Sequence, residues 1–80
     1  MENVEVRFFA AARAATKIEQ ITVDSATLLE ILATCIATYP ELERVIPQCS
    51  FLIDGTVNHD SSLIIKGGSQ VDVLPKFAGG

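Results

Sequence analysis

Eighty residues make one small domain, enough for a single core but not for a deep catalytic cavity built within the chain. With 49% apolar and 20% charged residues, the composition is that of a folded protein and excludes a disordered one. The formal charge of −4 comes with no basic stripe and no basic–aromatic interleaving, which argues against nucleic acid as a partner. No apolar run approaches the roughly 20 residues of a membrane span, and no signal-peptide pattern occurs. A soluble, cytoplasmic chain with no membrane partner is expected.

Val4, Val6 and Phe8 alternate with Glu5 and Arg7, the period of a half-buried strand. Phe9 then falls on the opposite face, where a polar residue is expected. Ala10 to Lys17 reads as an alanine-rich connection, since it is short and lacks an apolar stripe. Ile18 to Asp24 reads as a second strand with Ile21 and Val23 inward, so the two strands form a hairpin with a long loop.

Thr27 and Glu30 form a T-x-x-E capping box, in which each side chain satisfies the other residue's free N–H. Leu28, Ile31, Leu32 and Cys35 follow at i, i+3, i+4 and i+7, one buried helical stripe. Tyr39-Pro40 ends this helix, because the residue before proline avoids the helical region. Glu41 to Ile46 allows one further helical turn, stopped by Pro47.

Phe51 to Ile53, Asp54-Gly55 and Thr56-Val57 read as a hairpin, since Asp-Gly suits a type I′ turn with two positive φ values. Leu63 to Ile65 is a short apolar segment, and Lys66-Gly67-Gly68-Ser69 turns the chain. Val71 to Leu74 is the last strand, with Val71 and Val73 inward and an alternation that suits a central position. Pro75 is expected to stop further pairing, having no N–H to donate. One helix over a mixed sheet of four to five strands is an α+β layout. Residues 1–75 form the domain, and 76–80 an extended tail that can reach roughly 20 Å beyond it.

Few groups look built for chemistry. The chain has no P-loop, no G-x-G-x-x-G, no G-x-S-x-G and no H-E-x-x-H. Cys35 and Cys49 form no C-x-x-C pair, and a free thiol in an apolar stripe acts as a small hydrophobe. His59 stands alone in a polar turn, and these scattered groups make no three- or four-ligand metal set. What remains is the segment Phe77-Ala78-Gly79-Gly80. A carboxylate on Gly80, carried by residues without bulk, can enter a narrow channel and attack an electrophilic phosphorus. Phe77 and Ala78 would line such a threaded tail. Phe9 and Leu74 point away from the expected core and make a candidate docking patch. Arg13 is a candidate for pairing with a partner's carboxylate, and Lys76 for contacting a partner or an anion.

The run Val4-x-Val6-x-Phe8-Phe9-Ala10-x-x-Arg13, the segment Leu63 to Pro75 with Gly68 and Val71, and Gly79-Gly80 resemble one family along the whole chain. It is the ubiquitin-like sulfur carriers (MoaD/ThiS-like), most closely the small subunits of molybdopterin synthase. The chain departs from the family's usual pattern at Ala14, Asp54, Ser69 and Lys76.

The resemblance implies a β-grasp fold, and it places Val57 beside Phe9 and Leu74. It implies that a ubiquitin-activating-type adenylyltransferase uses ATP-Mg to adenylate Gly80, and that a sulfur donor protein then makes a thiocarboxylate. It implies docking to the large synthase subunit, where sulfur passes to a pyranopterin precursor of the molybdenum cofactor. The carrier itself binds no cofactor or metal and is non-catalytic alone. Three alternatives stay open: a sister carrier for thiamine, cysteine or tRNA thiolation; a protein modifier ligated through Gly80; and a non-covalent interaction domain.

Overall fold

The computed structural model describes residues 3–76, and the expectations for Phe77, Ala78, Gly79 and Gly80 lie outside the described residues. The chain runs β1 (Asn3–Phe8), α1 (Ala10–Thr16), β2 (Gln20–Asp24), β3 (Ala26–Thr27), α2 (Leu28–Thr38) and α3 (Leu42–Val45). A 3-10 turn (Ile46–Gln48) leads to β4 (Cys49–Ile53), β5 (Thr56–Asn58), β6 (Ile64–Ile65) and β7 (Gln70–Pro75). Five strands form a mixed sheet in the order β2-β1-β7-β4-β5, while β3 and β6 pair separately. This is the expected α+β, β-grasp arrangement.

The last strand in sequence is the middle strand in space. β7 runs parallel to β1, with Val6 beside Val71 and Phe8 beside Val73. It runs antiparallel to β4, with Phe51 opposite Val73 and Cys49 opposite Pro75. Period-two alternation then fixes the faces. Val4, Val6, Phe8, Val71 and Val73 are buried against Leu28, Ile31, Leu32 and Cys35 of α2. Leu42 of α3 and Ile65 of β6 complete this core.

Four local expectations need correction. Ala10 to Lys17 is not a plain connection, because Ala10–Thr16 is helical. Its buried stripe is only Ala12 and Thr16, at i and i+4. Residues this small carry almost no apolar signal, while alanine's high helix propensity supports the turn. The first two strands are therefore joined by a helix and not by a bare loop. Second, Pro75 does not stop the pairing, since Lys76 N–H still donates to Gln48 C=O at 2.8 Å. Odd-numbered residues of β7 turn their backbone groups toward β1, as Val73 C=O does in accepting from Phe9 N–H. At Pro75 that neighbour has already ended, so the missing N–H breaks no ladder bond. Third, α3 ends at Val45, before Pro47 as read, but the helical course does not stop there: a 3-10 turn follows over Ile46–Gln48 with Pro47 in its first turn, where a proline removes no internal bond. Fourth, Ile18 and Glu19 precede β2 and do not belong to it.

The capping box at α2 is present as read. Glu30 N–H donates to Thr27 Oγ1 at 3.2 Å, and Thr27 N–H donates to Glu30 Oε1 at 3.0 Å. Those bonds hold the Glu30 carboxyl below its usual range. The Asp54-Gly55 turn is also as read, with φ of 50° and 87°. Its tip is clipped to β7, because Gln70 N–H donates to Asp54 Oδ1 at 2.9 Å. Thr27→Ala should lower stability by about 1 kcal/mol, and Thr27→Ser by little. Urea unfolding at neutral pH measures both.

Candidate functional site

The face of the sheet turned away from α2 carries the candidate docking residues. Register places Arg7 beside Asp72, Asp72 opposite Leu52, and Leu52 opposite Val57. Leu74 stands two residues along β7 from Asp72, opposite Ser50. Leu74 is 38% and Val57 49% exposed, so the apolar surface is open. Phe9, half-buried at the end of β1, lies under the Arg7 guanidinium at 5.2 Å from its ring centre. The structure thus places Phe9, Leu74 and Val57 on one face of the sheet, with Val57 on the edge strand three strands away from β1.

Three further residues complete this face that sequence reading passed over. Leu52 sits between Asp72 and Val57 in the register, and only strand pairing reveals it. Arg7 and Asp72 form a two-pronged ion pair, Nε to Oδ1 at 2.8 Å and Nη2 to Oδ2 at 3.0 Å. The hydrogen bonds to Asp72 raise the Arg7 pKa further above its ordinary value. The alternation Val4-Glu5-Val6-Arg7 was the available signal, because it puts Arg7 on the face opposite the core. The pair cancels charge in the middle of the patch and fixes the guanidinium plane over Phe9.

Arg13 lies elsewhere, on α1, and its Nη2 meets the chain's own Glu19 at 3.0 Å. Both side chains are exposed, so this is a surface pair worth about 0–1 kcal/mol. Lys76 is exposed at the end of β7, where its N–H holds the strand to Gln48. Gly80, Gly79, Ala78 and Phe77 follow from that anchored end.

The thiols are not poised for attack. Cys35 and Cys49 are both free and buried. Burial pushes each thiol up to about 11, so both are protonated at neutral pH. Cys49 Sγ also donates to Val45 C=O at 3.3 Å. Among the described residues no three His, Cys, Asp or Glu side chains are grouped to hold a metal. Among them, too, no helix is long and apolar enough to cross a membrane.

The model of the ThiS family matches residues 6–80. No curated protein matches the sequence. The solution structure of small archaeal modifier protein 1 (SAMP1) from Methanosarcina acetivorans is similar at a TM-score of 0.86 and 22% identity, covering 100% of this chain and 98% of that one. A putative molybdopterin converting factor subunit 1 from Pyrococcus furiosus is similar at 0.83 and 14% identity, covering 94% and 98%. A chain in the complex of subunits 1 and 2 of molybdopterin-converting factor from Helicobacter pylori is similar at 0.72 and 23% identity, covering 98% and 99%. At such identities the likeness establishes the fold.

The thiol shifts carry a sign. Each thiol has a higher pKa folded than unfolded, so its contribution to stability is complete below about pH 9 and falls as pH rises toward about 11. Urea midpoints should therefore drop between pH 9 and 11, and the drop should shrink in Cys35→Ala/Cys49→Ala. An equal drop in the double variant would mean that the thiols titrate freely in the folded chain.

Proposed function

The chain belongs to the ThiS family of ubiquitin-like sulfur carriers, and we propose that it carries sulfur on Gly80 as the small subunit of a molybdopterin synthase. The observation that carries this reading is the family match through Gly79-Gly80. The β7 anchor supports it by holding Lys76, shortly before that segment in the sequence, to Gln48.

The chemistry follows from the weakness of a carboxylate as an acyl donor. Its negative charge repels nucleophiles, and oxide is a poor leaving group. A ubiquitin-activating-type enzyme removes both obstacles with ATP-Mg. The Gly80 carboxylate oxygen attacks the α-phosphorus, pyrophosphate leaves, and the acyl-adenylate has a neutral carbonyl with AMP as leaving group. Sulfur at the oxidation level of sulfide, delivered by a donor protein, attacks that carbonyl, and AMP departs. The thiocarboxylate is then presented inside the large subunit, where its sulfur forms a C–S bond to a pyranopterin precursor as a carbon–oxygen bond of that precursor breaks and the oxygen leaves with the electron pair. Water finally cleaves the acyl–sulfur bond, which leaves the sulfur on the pterin as a thiolate and returns the carrier carboxylate. In this scheme the chain holds no cofactor, and proton transfers fall to its partners.

The open sheet face would seat those partners. Phe9, Leu74, Val57 and Leu52 supply apolar area around the Arg7–Asp72 pair. The Helicobacter pylori assembly of subunits 1 and 2 favours a large-subunit partner for this chain. Leu74→Arg should weaken large-subunit binding by about 2 kcal/mol, the scale of an interface hot spot, while the unfolding midpoint barely moves. Calorimetric titration and urea unfolding separate the two effects.

Incubation with the activating enzyme, ATP-Mg and a sulfide source should add the mass of one oxygen exchanged for one sulfur. Deleting Gly80 should abolish that increment without unfolding the domain. Intact mass spectrometry reads both, and unchanged sulfur loading of the truncated chain would refute the proposal. The likeness to SAMP1 favours a second reading, ligation to lysines of other proteins. Covalent conjugates that vanish on Gly80 removal, with no sulfur increment, would select it.

A further inference from the structure

The Arg7 guanidinium is only partly used within the chain. Its Nε and Nη2 groups donate to the two Asp72 oxygens at 2.8 and 3.0 Å, and it lies over the Phe9 ring. A guanidinium carries five N–H donors and no acceptor, so both N–H groups of Nη1 and the second of Nη2 remain. Among the described residues no acceptor meets these remaining donors. We propose that this free edge makes Arg7 a specificity-determining residue of the open face, donating to a neutral carbonyl oxygen, main-chain or carboxamide, on the enzyme that adenylates Gly80. The inference rests on the carrier reading above and adds the chemistry that the partner presents.

Three observations carry it. The first is exposure. The Arg7 side chain is 38% exposed and that of Asp72 13%, so the donor end of the pair reaches the surface and the acceptor end does not. The second is the apolar surround. Leu52 stands opposite Asp72, Leu74 lies two residues along β7, and Phe9 lies beneath the guanidinium. A partner that covers these groups excludes water from the same place, and a buried N–H without an acceptor is costly. Partners that bring an acceptor are thereby favoured over those that do not.

The third observation is charge. Asp72 balances Arg7. Glu5, the preceding outward residue of β1, accepts from Gln70 Nε2 at 2.7 Å and adds a negative charge that Arg7 senses. An arriving carboxylate would meet a site with no net positive charge, whereas a neutral carbonyl meets no repulsion. The grip of Asp72 and the ring beneath also orient the guanidinium before any partner arrives. A lysine there would keep the charge and lose the planar fork.

The test is adenylation of the full chain by its activating enzyme, with KM and kcat for the carrier read from ATP–pyrophosphate exchange. Arg7→Leu/Asp72→Leu removes the pair without stranding a charge, and urea unfolding checks that the fold is kept. This double variant should raise KM about tenfold, the low end for a hydrogen bond to a charged group, with kcat unchanged. Arg7→Lys, which keeps an ion pair with Asp72, should raise KM to a similar extent. Asp72→Asn unbalances the charge but keeps an acceptor for Arg7, and should leave KM nearly unchanged. Added salt should raise KM equally in the unmodified chain and in the double variant, which have the same net charge. An unchanged KM in the double variant or in Arg7→Lys would overturn the proposal and leave the pair as a structural contact. A KM that falls severalfold in Asp72→Asn, or a steeper salt dependence in the unmodified chain, would reveal a charged acceptor and also overturn it. The carrier reading stands on turnover of the unmodified chain and this inference on KM ratios between variants, so the two fail separately.

Discussion

The pairing of β7 with both β1 and β4 is the constraint on which the rest depends. Hydrogen bonds on its two edges fix the strand in place, and burial of Val71 and Val73 fixes its face. A one-residue slip would turn both valines to solvent and Asp72 into the core, so the register is strongly specified. The same register sets Asp72 beside Arg7 and Leu74 on the open face. It also carries Lys76, the last described residue, to Gln48. Core, open face and the Lys76 anchor are thus three results of one strand's placement.

The division of labour follows from size. Eighty residues bury one core, and α2, α3 and the sheet use it up. The buried thiols are held protonated and belong to that core. Among the described residues the charged groups pair locally, Arg7 with Asp72, Arg13 with Glu19 and Arg44 with Glu41. A chain so arranged is consistent with the proposed carrier role, in which acid–base chemistry falls to the partners.

Much of this was legible in the sequence because the signals were physical and local. The Thr27–Glu30 box, the Leu28-Ile31-Leu32-Cys35 stripe and the Asp54-Gly55 turn each specify one geometry, and each is found. The outward direction of Leu74 and Phe9 was readable from period-two alternation. What escaped was non-local or faint. Helix α1 buries only Ala12 and Thr16, too little apolar surface to mark a stripe. The pairing of β3 with β6 joins two dipeptides, Ala26-Thr27 and Ile64-Ile65, nearly forty residues apart. Leu52 and the Arg7–Asp72 pair become site residues only when β1, β7, β4 and β5 lie side by side. The harmlessness of Pro75 likewise rests on which neighbour its nitrogen faces, a fact of register and not of composition.

Native-state hydrogen exchange of the β7 amides tests the central claim most directly. If β7 is the anchor, the Lys76 N–H bonded to Gln48 should share the slow exchange of Asp72 and Leu74, opening only with global unfolding. Exchange at Lys76 and Leu74 as fast as in an unstructured peptide, with Val4 and Val6 still protected, would show that the strand frays from the fold and positions nothing.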